Sequence, residues 1–184
     1  MRRLHVPRSQ IEGNRALLLP EDRHYLCDVL RLGPGTAIEV FDGDGGTYAA
    51  VLSPSCDALE LGGRRQVESG TRPIWLAFAL SKGEKNDLVV QKGTELGASR
   101  FLPWSAERSI VRLDEERAIQ RAQRWRRIAT EAARQCGRAD VPEVMEPLPL
   151  AAVLAGTPSE LSRIAFYERG GEPIQQLLRG SPAG

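Results

Sequence analysis

Three lysines, Lys82, Lys85 and Lys92, are the residues of this sequence best suited to chemistry, because they are its only lysines and fall within eleven positions. Two of them flank Gly83 in the segment SKGEK, and Arg108 lies in a similar polar segment, SAERS. A cation beside a glycine can hold a phosphate, since the backbone approaches closely there and the side chain supplies charge. The glycine spacing and Lys-Ser/Thr pair of a P-loop are missing, so a P-loop is excluded.

The positive charge of the chain is concentrated in the same central segment. The formal net charge is +1, but residues 71–138 carry fourteen basic and eight acidic side chains, a net of +6, while the segments before and after carry −2 and −3. A patch of one sign on a near-neutral protein is typical of a protein with an anionic partner. A solvated helix face produces similar clusters, so this alternative stays open on charge alone.

The remaining residues offer no familiar catalytic cluster. Both histidines, His5 and His24, lie near the N-terminus, where no Ser-His-Asp or Cys-His arrangement can be built. The three cysteines are odd in number and widely spaced, which predicts free thiols in a reducing compartment rather than disulfides or a zinc site. Lys92 and Glu95 are three residues apart, which fits either a surface ion pair or an anchored pair beside a substrate groove. No residue stands out as a general base, so the catalytic residue is unknown.

The first 70 residues predict a small β-rich module that could position cations. Its predicted elements are a strand at 15–19, a helix from Pro20 to the Gly-Pro-Gly of 33–35, a hairpin at 36–52 and a strand at 58–61. One helix among several short strands is typical of small barrels, some of which bind RNA. The polar, glycine-rich residues 62–73 are interpreted as a linker.

Beyond the linker, strands alternate with helices, which is typical of a parallel α/β sheet. IWLAFAL, residues 74–80, is continuously apolar and predicts a strand buried on both faces. The other predicted elements are a helix at 86–97 with Val89, Gly93 and Leu96 on one face, a strand at 99–104, a helix at 114–136, an extended piece at 141–146, a buried strand at 164–168 and a helix at 172–180. In helix 114–136, Ala118, Ala122, Trp125, Ala129, Ala132 and Cys136 recur every three or four residues. This spacing predicts a buried stripe, with the arginines on a different face.

Four segments carry a resemblance to a known family: LRLGPGTAIEVFDG, SKGEKNDLVVQKGTELG, PWSAERS and RWRRIATEAARQCGRADVPEV. In order and spacing they resemble the bacterial 16S rRNA uridine-N3 methyltransferases of the SPOUT (α/β-knot) superfamily, from the N-terminus to about Glu146. The resemblance implies an α+β chain, with a PUA-like RNA-binding β-barrel at 1–70 followed by an α/β SPOUT domain with a parallel sheet at 71–184. It also implies S-adenosylmethionine as methyl donor without a metal, a uridine of 16S rRNA in the small ribosomal subunit as substrate, and a homodimer formed through the knot.

The resemblance implies that the cations bind RNA. The predicted RNA contacts are Arg2, Arg3 and Arg31 from the barrel and Lys82, Lys85, Lys92, Arg108 and Arg138 from the second domain, with Glu95 and Gln135 orienting them. A uridine in folded RNA would be splayed out of its stack to reach a pocket.

The family's GPEGG loop and its LG-x-RILR-x-ETA segment do not occur in this sequence. In the family these segments thread the knot, cradle the cofactor and pack the dimer. We therefore expect the SPOUT domain to be C-terminally truncated, either as a fragment or as a shortened homologue. Tyr167 and Glu168, at the end of the last predicted strand, are the candidates for one wall of a cofactor pocket.

Two alternatives to the enzyme remain open. One is a non-catalytic RNA-binding protein or fragment that has lost the cofactor site, and the other is a small α/β protein whose arginines form only a solvated face.

The longest apolar run, residues 74–80, is too short to span a bilayer, and no targeting segment is visible. We therefore expect a soluble cytoplasmic protein without a membrane partner.

Overall fold

The computed structural model describes residues 2–67, 72–105, 114–167 and 170–179, which form two sheets and the helices packed on them. The strands are β1 (Arg3–His5), β2 (Ile11–Glu12), β3 (Arg15–Leu17), β4 (Ala37–Phe41), β5 (Gly46–Leu52), β6 (Ala58–Leu61), β7 (Arg65–Gln66), β8 (Ile74–Ala79), β9 (Ala98–Ser105), β10 (Glu143–Val144) and β11 (Leu148–Pro149). The helices are α1 (Pro20–Arg23), which continues as a π-helical segment (His24–Val29), α2 (Lys85–Glu95), α3 (Glu115–Cys136), α4 (Leu150–Ala155) and α5 (Ile174–Arg179). A 3-10 turn spans Arg8–Gln10.

The N-terminal module is a curled sheet of β1 to β7 with the order β1-β4-β5-β6-β3-β2. Only β1 and β4 are parallel; the other pairs are antiparallel, as expected of strands joined by short turns. Leu26 of the π-helical segment packs into the core formed by the inward-facing side chains of the strands. The predicted hairpin and the strand at 58–61 are confirmed.

One part of the predicted linker belongs to this sheet. Residues 65–66 form β7 and pair with the first residues of β5, Gly46 and Thr47. β6 pairs only with residues 50–52 of β5, so without β7 the start of β5 would lack a strand partner on this edge, while its other edge pairs with β4.

The C-terminal module is an all-parallel sheet centred on β9. β8 pairs along one edge of β9, while β10 and β11 pair with its two ends along the other edge. α2 and α3 cover one face, where Phe101 and Trp125 lie in the same buried cluster. The predicted parallel sheet and the helix over 114–136 are confirmed, and the short helix α4 was not predicted.

The buried face of α2 differs from the predicted one. It consists of Asn86, Val90 and Thr94, whereas Leu96 is 83% exposed. A hydrophobic pattern misses this face because two of its residues are polar. Thr94 can be buried because its hydroxyl donates to the carbonyl of Val90 at 2.8 Å, which satisfies it within the helix. Gly93 also faces the sheet, and a Cβ there would lie 2.6 Å from the Phe101 ring, so only glycine allows this close approach.

Three further expectations from the sequence are wrong. β8 is not buried on both faces, since Ala77 and Ala79 are exposed on the side away from α2 and α3. Residues 164–167 form no strand and pair with no described strand, and Phe166 is 80% exposed. On α3, Cys136 is exposed at the helix end, and Ala133 takes part in the buried face instead.

Candidate RNA-binding groove and module junction

The loop that carries Lys82 and Lys85 is held in place by a buried asparagine. The side-chain oxygen of Asn86 accepts from the backbone N–H of Ser81 at 2.8 Å and from its hydroxyl at 3.0 Å. The side-chain nitrogen of Asn86 donates to the carbonyl of Ala79 at 3.0 Å. These three bonds tie the end of β8 to the start of α2, so the exposed lysines project from a fixed turn.

A groove of about 750 Å³ runs between α2 and α3. Its floor is apolar and formed by Leu88, Ile128 and Ala132. Its polar rim consists of Glu84, Lys85, Asp87 and Gln91 on one side and Arg127, Glu131 and Gln135 on the other. The groove therefore brings together Lys85 and Gln135, two residues that the sequence predicted to act at the RNA site, from segments fifty positions apart.

The carboxylates of this rim are largely neutralised by neighbouring arginines. Asp87 accepts from Arg124 at 2.5 Å and from the indole N–H of Trp125 at 2.9 Å. Glu131 is paired with Arg134, three residues along the same helix. Among the described residues, neither Lys85 nor Arg127 has a hydrogen-bonding or ionic partner, which leaves two free cations beside an apolar floor.

Lys92 and Glu95 form a surface ion pair, with 2.7 Å between the ammonium nitrogen and a carboxylate oxygen. The Lys92 side chain is about half exposed, and such pairs contribute little to stability. The geometry fits the surface-pair alternative and leaves RNA contact by these two residues as a prediction.

Arg138 is committed to contacts inside the protein. Its guanidinium donates to the carbonyl of Thr94 at 2.7 Å, in the last turn of α2, and to that of Ala98 at 2.8 Å, at the start of β9. It also forms an ion pair with Asp140. Burial raises the pKa of Asp140, but the hydrogen bond and charge of Arg138 outweigh it, so this pKa lies below its ordinary value.

Arg3 connects the two modules. From β1 it forms an ion pair with Glu39 at 2.5 Å and donates to the carbonyl of Arg138 at 3.1 Å, just beyond the end of α3. Longer contacts of 3.4 and 3.5 Å reach the carbonyls of Ala133 and Arg134. A cation at the C-terminus of α3 also interacts favourably with the helix dipole.

Further contacts extend this junction. The N–H of Val141 donates to the carbonyl of Gly43 at 2.9 Å, and the N–H of Gly45 to that of Ala139 at 3.2 Å. Arg134 stacks on the ring of Tyr25 with 4.7 Å to its centroid. Backbone hydrogen bonds, the guanidinium of Arg3 and the cation–π contact of Arg134 therefore join the N-terminal module to the end of α3 and the segment that follows it.

The other nominated residues are dispersed. Arg2 and Arg31 are exposed on the N-terminal module, and Arg31 holds a left-handed backbone conformation, with φ of 54°, where the first helical segment ends. Arg108 and Glu168 lie outside the described residues. Tyr167 is 76% exposed and lines neither the α2–α3 groove nor the second cavity described next.

The second cavity, of about 550 Å³, lies in the N-terminal module and is lined in part by Arg8, Asn14 and Arg64. Arg64 donates to the buried carboxylate of Asp42 at 2.7 Å, so its charge is already matched.

The sequence analysis did not propose Arg8 or Arg64 as site residues, and it also missed Gln91 and Arg127 of the groove. Gln91 follows Leu88 by three positions, and Arg127 is followed by Glu131 and Gln135 at steps of four, so helical spacing could have placed them on shared faces.

Comparison with known proteins follows the same division into modules. Residues 68–182 match the family described as RNA methyltransferase domain, and residues 18–55 match the RNA methyltransferase PUA domain. The chain is 37% identical over 152 residues to ribosomal RNA small subunit methyltransferase E of Bacillus subtilis, covering 78% of this chain and 58% of that protein. The corresponding protein of Synechocystis is 36% identical, covering 79% and 48% of the two chains.

Solved structures show the same similarity. A ribosomal RNA small subunit methyltransferase E from Neisseria gonorrhoeae bound to S-adenosyl methionine matches with a TM-score of 0.75 and 32% identity, covering 87% of this chain and 67% of that one. A putative methyltransferase from Legionella pneumophila in complex with the same cofactor matches with a TM-score of 0.76 and 29% identity, covering 84% and 66%.

These matches define the class of protein: a PUA-like module joined to a methyltransferase domain of the SPOUT type. The chain belongs to the RNA methyltransferase family, which confirms the resemblance found in the sequence. It spans about half the length of the curated relatives it matches. Within the described ranges, no helix has the length and apolar character needed to cross a membrane, and no group of side chains is arranged to hold a metal ion.

Proposed function

We propose that this protein is an S-adenosylmethionine-dependent enzyme that methylates N3 of a uridine in the 16S rRNA of the small ribosomal subunit. The names of its relatives and the cofactor bound in the Neisseria structure support this proposal. The observation on the chain itself that carries it is the α2–α3 groove, where Lys85 and Gln135 meet beside a second free cation, Arg127. Free cations beside a concave surface are what an RNA backbone needs.

In this proposal the described residues bind and orient RNA. Lys82 and Lys85 contact phosphates from the turn that Asn86 fixes, and Arg127 contacts them from α3. Arg3 has a different part: it fixes the N-terminal module against the end of α3, so that RNA bound to one module is held in a constant position relative to the other. Arg138 holds the segment after α3 against Thr94 and Ala98 within the second module. Arg2, Arg31 and Lys92 are proposed as outer contacts, because their side chains reach the surface. Glu95 is proposed to orient Lys92 through their ion pair.

The described residues do not fit S-adenosylmethionine by themselves. Tyr167 stands 76% exposed, without the surrounding walls that a buried cofactor requires, and Phe166 beside it is 80% exposed. We therefore derive no step of the methyl transfer from these residues, and the general base is not assigned.

The proposal includes a homodimer in the cytoplasm. Large apolar side chains such as Phe166 and Leu154 lie on the surface, which suits an interface better than solvent. Bacterial ribosomes are cytoplasmic, so an enzyme acting on their RNA works there.

A second candidate is a non-catalytic RNA-binding protein. The exposure of Tyr167 favours it, because the groove and the free cations persist where no enclosed cofactor site is formed by the described residues.

Two measurements separate these functions. The 184-residue chain is titrated with S-adenosylmethionine in a calorimeter, and 16S rRNA incubated with both is examined by reverse transcription, which stops at a uridine methylated on N3. Methylation establishes the enzyme. RNA binding without cofactor binding or methylation establishes the second candidate and refutes enzymatic activity of this chain.

RNA binding is measured by fluorescence anisotropy over a range of salt concentrations. Replacing both Lys82 and Lys85 with alanine should reduce the slope of log affinity against log salt by about 1.4, at roughly 0.7 for each single-stranded phosphate contact. Arg163→Ala removes an exposed arginine that lines neither cavity and should leave the slope unchanged. An affinity that does not depend on salt would support the solvated-face alternative.

A further inference from the structure

We infer that the α2–α3 groove is a pocket for one unpaired nucleotide of the RNA, with the base on the apolar floor and the phosphates at Lys85 and Arg127. The inference rests on the proposed function and deepens it, because it assigns to this groove a nucleobase as well as a phosphate backbone.

The floor has the character of a surface that a flat ring covers. Leu88 is 56% exposed although its helix α2 packs against α3, and Ile128 and Ala132 continue the same apolar surface from α3. A volume of about 750 Å³ lies within the range of small-ligand sites, roughly 300–1,000 Å³. Every base has an apolar face, so such a floor accepts a base without regard to its identity.

The charges of the rim favour RNA over a protein helix as the occupant. The unpartnered cations Lys85 and Arg127 come from opposite sides of the groove. The acidic residues Asp87 and Glu131 are paired with arginines, so their repulsion of a phosphate is reduced. An apolar protein helix would have to desolvate these two cations without compensation, whereas a nucleotide brings the phosphates that match them.

Two carboxamides can bind the edge of a base. Gln91 and Gln135 line the groove from α2 and α3, and neither has a hydrogen-bonding partner among the described residues. A carboxamide presents a donor and an acceptor side by side, which matches the edge of an unpaired base. Because a carboxamide can be turned over, the groove favours an unpaired base without fixing which one.

The test compares paired substitutions by fluorescence anisotropy on the full chain with a single-stranded oligouridylate. Leu88→Glu should weaken binding about tenfold or more by destroying the floor and repelling phosphate, while Leu96→Glu, on the same helix but outside the groove, should change it less than about twofold. Gln135→Ala should weaken binding roughly three- to tenfold. Gln123→Ala, an exposed carboxamide of the same helix that does not line the groove, serves as its control.

An abasic oligonucleotide of the same length separates the base from the backbone. The inference predicts that the unmodified protein binds the oligouridylate about tenfold more tightly than the abasic strand and that Leu88→Glu removes this preference. Equal binding of the two strands, or equal effects of Leu88→Glu and Leu96→Glu, overturns the nucleotide pocket while RNA binding itself stands. Absence of any RNA binding overturns the proposed function as well. If Leu88→Glu changes the sedimentation of the protein without changing its affinity for RNA, the groove binds a second copy of the chain, and the inference is also overturned.

Discussion

Arg138→Ala tests whether this arginine stabilises the fold, because its side chain is only 15% exposed and fully used inside the protein. The substitution removes the charged donors to the carbonyls of Thr94 and Ala98 and leaves Asp140 without its cation. Hydrogen bonds to a charged group contribute about 1.5–3 kcal/mol each, and removing one partner of a buried ion pair costs about 3–5 kcal/mol. Asp140 is 36% exposed, so solvent screens part of this loss. We expect the free energy of unfolding to fall by roughly 2–4 kcal/mol at pH 7.

The assay is urea unfolding followed by tryptophan fluorescence, without RNA. Arg138→Lys should recover only part of the loss, because an ammonium cannot bond both carbonyls and the carboxylate as the planar guanidinium does. Arg127→Ala is the control for stability: it removes an exposed arginine of α3 without a described partner and should change the free energy by less than about 0.5 kcal/mol.

The pH dependence tests the pair with Asp140 separately. Since the pKa of Asp140 is lowered in the folded protein, its stabilising contribution is complete above the unfolded value of about 3.9 and is lost as the pH falls through the folded value. The coupling energy between Arg138→Ala and Asp140→Asn in a double-mutant cycle should therefore be positive at pH 7 and shrink below about pH 4. A loss of less than about 0.5 kcal/mol for Arg138→Ala would refute the structural role. It would return Arg138 to the residues available for RNA.

Three other substitutions test the elements that hold the site. Gly93→Ala should destabilise by about 1–3 kcal/mol in urea unfolding, because overpacking against Phe101 outweighs a helix-propensity gain of about 1 kcal/mol; a more stable variant would contradict the close approach. Asp114→Ala should cost about 1 kcal/mol in thermal unfolding, since its carboxylate caps α3 by accepting from the backbone N–H of Arg117, and an unchanged melting temperature would argue against that cap. Burial raises the pKa of Asp42, but the hydrogen bonds from Arg64 and two backbone N–H groups and the charge of Arg64 together lower it by more, so this pKa lies below its ordinary value. Asp42→Asn should therefore cost roughly 1–3 kcal/mol at pH 7 and progressively less below about pH 4 in urea unfolding; a difference that does not vary with pH would count against the pairing.

Local patterns in the sequence predicted most of the elements, and they failed where a neighbour decides. The hairpin of β4 and β5 and the long helix α3 depend on turn residues and on a hydrophobic period, both of which are local. The strand expected at 164–168 is wrong over residues 164–167, because an apolar run does not by itself form a strand: its backbone must also pair with a neighbour, and no described strand pairs with it. The buried face of α2 failed because Thr94 and Asn86 become core residues only once their hydrogen bonds are made.

The sequence by itself determined the family, the order of the elements and the concentration of cations in one central segment, since these follow from residue types and their spacing. The tertiary structure alone decided which cations are free. Arg138 and Lys85 look alike in sequence, yet Arg138 is folded against the end of α2 and held by Asp140, while Lys85 remains without a described partner at the rim of a groove. The reason is that a charged group needs partners when it is buried, and only the packing of α2, α3 and the N-terminal module determines which groups are buried.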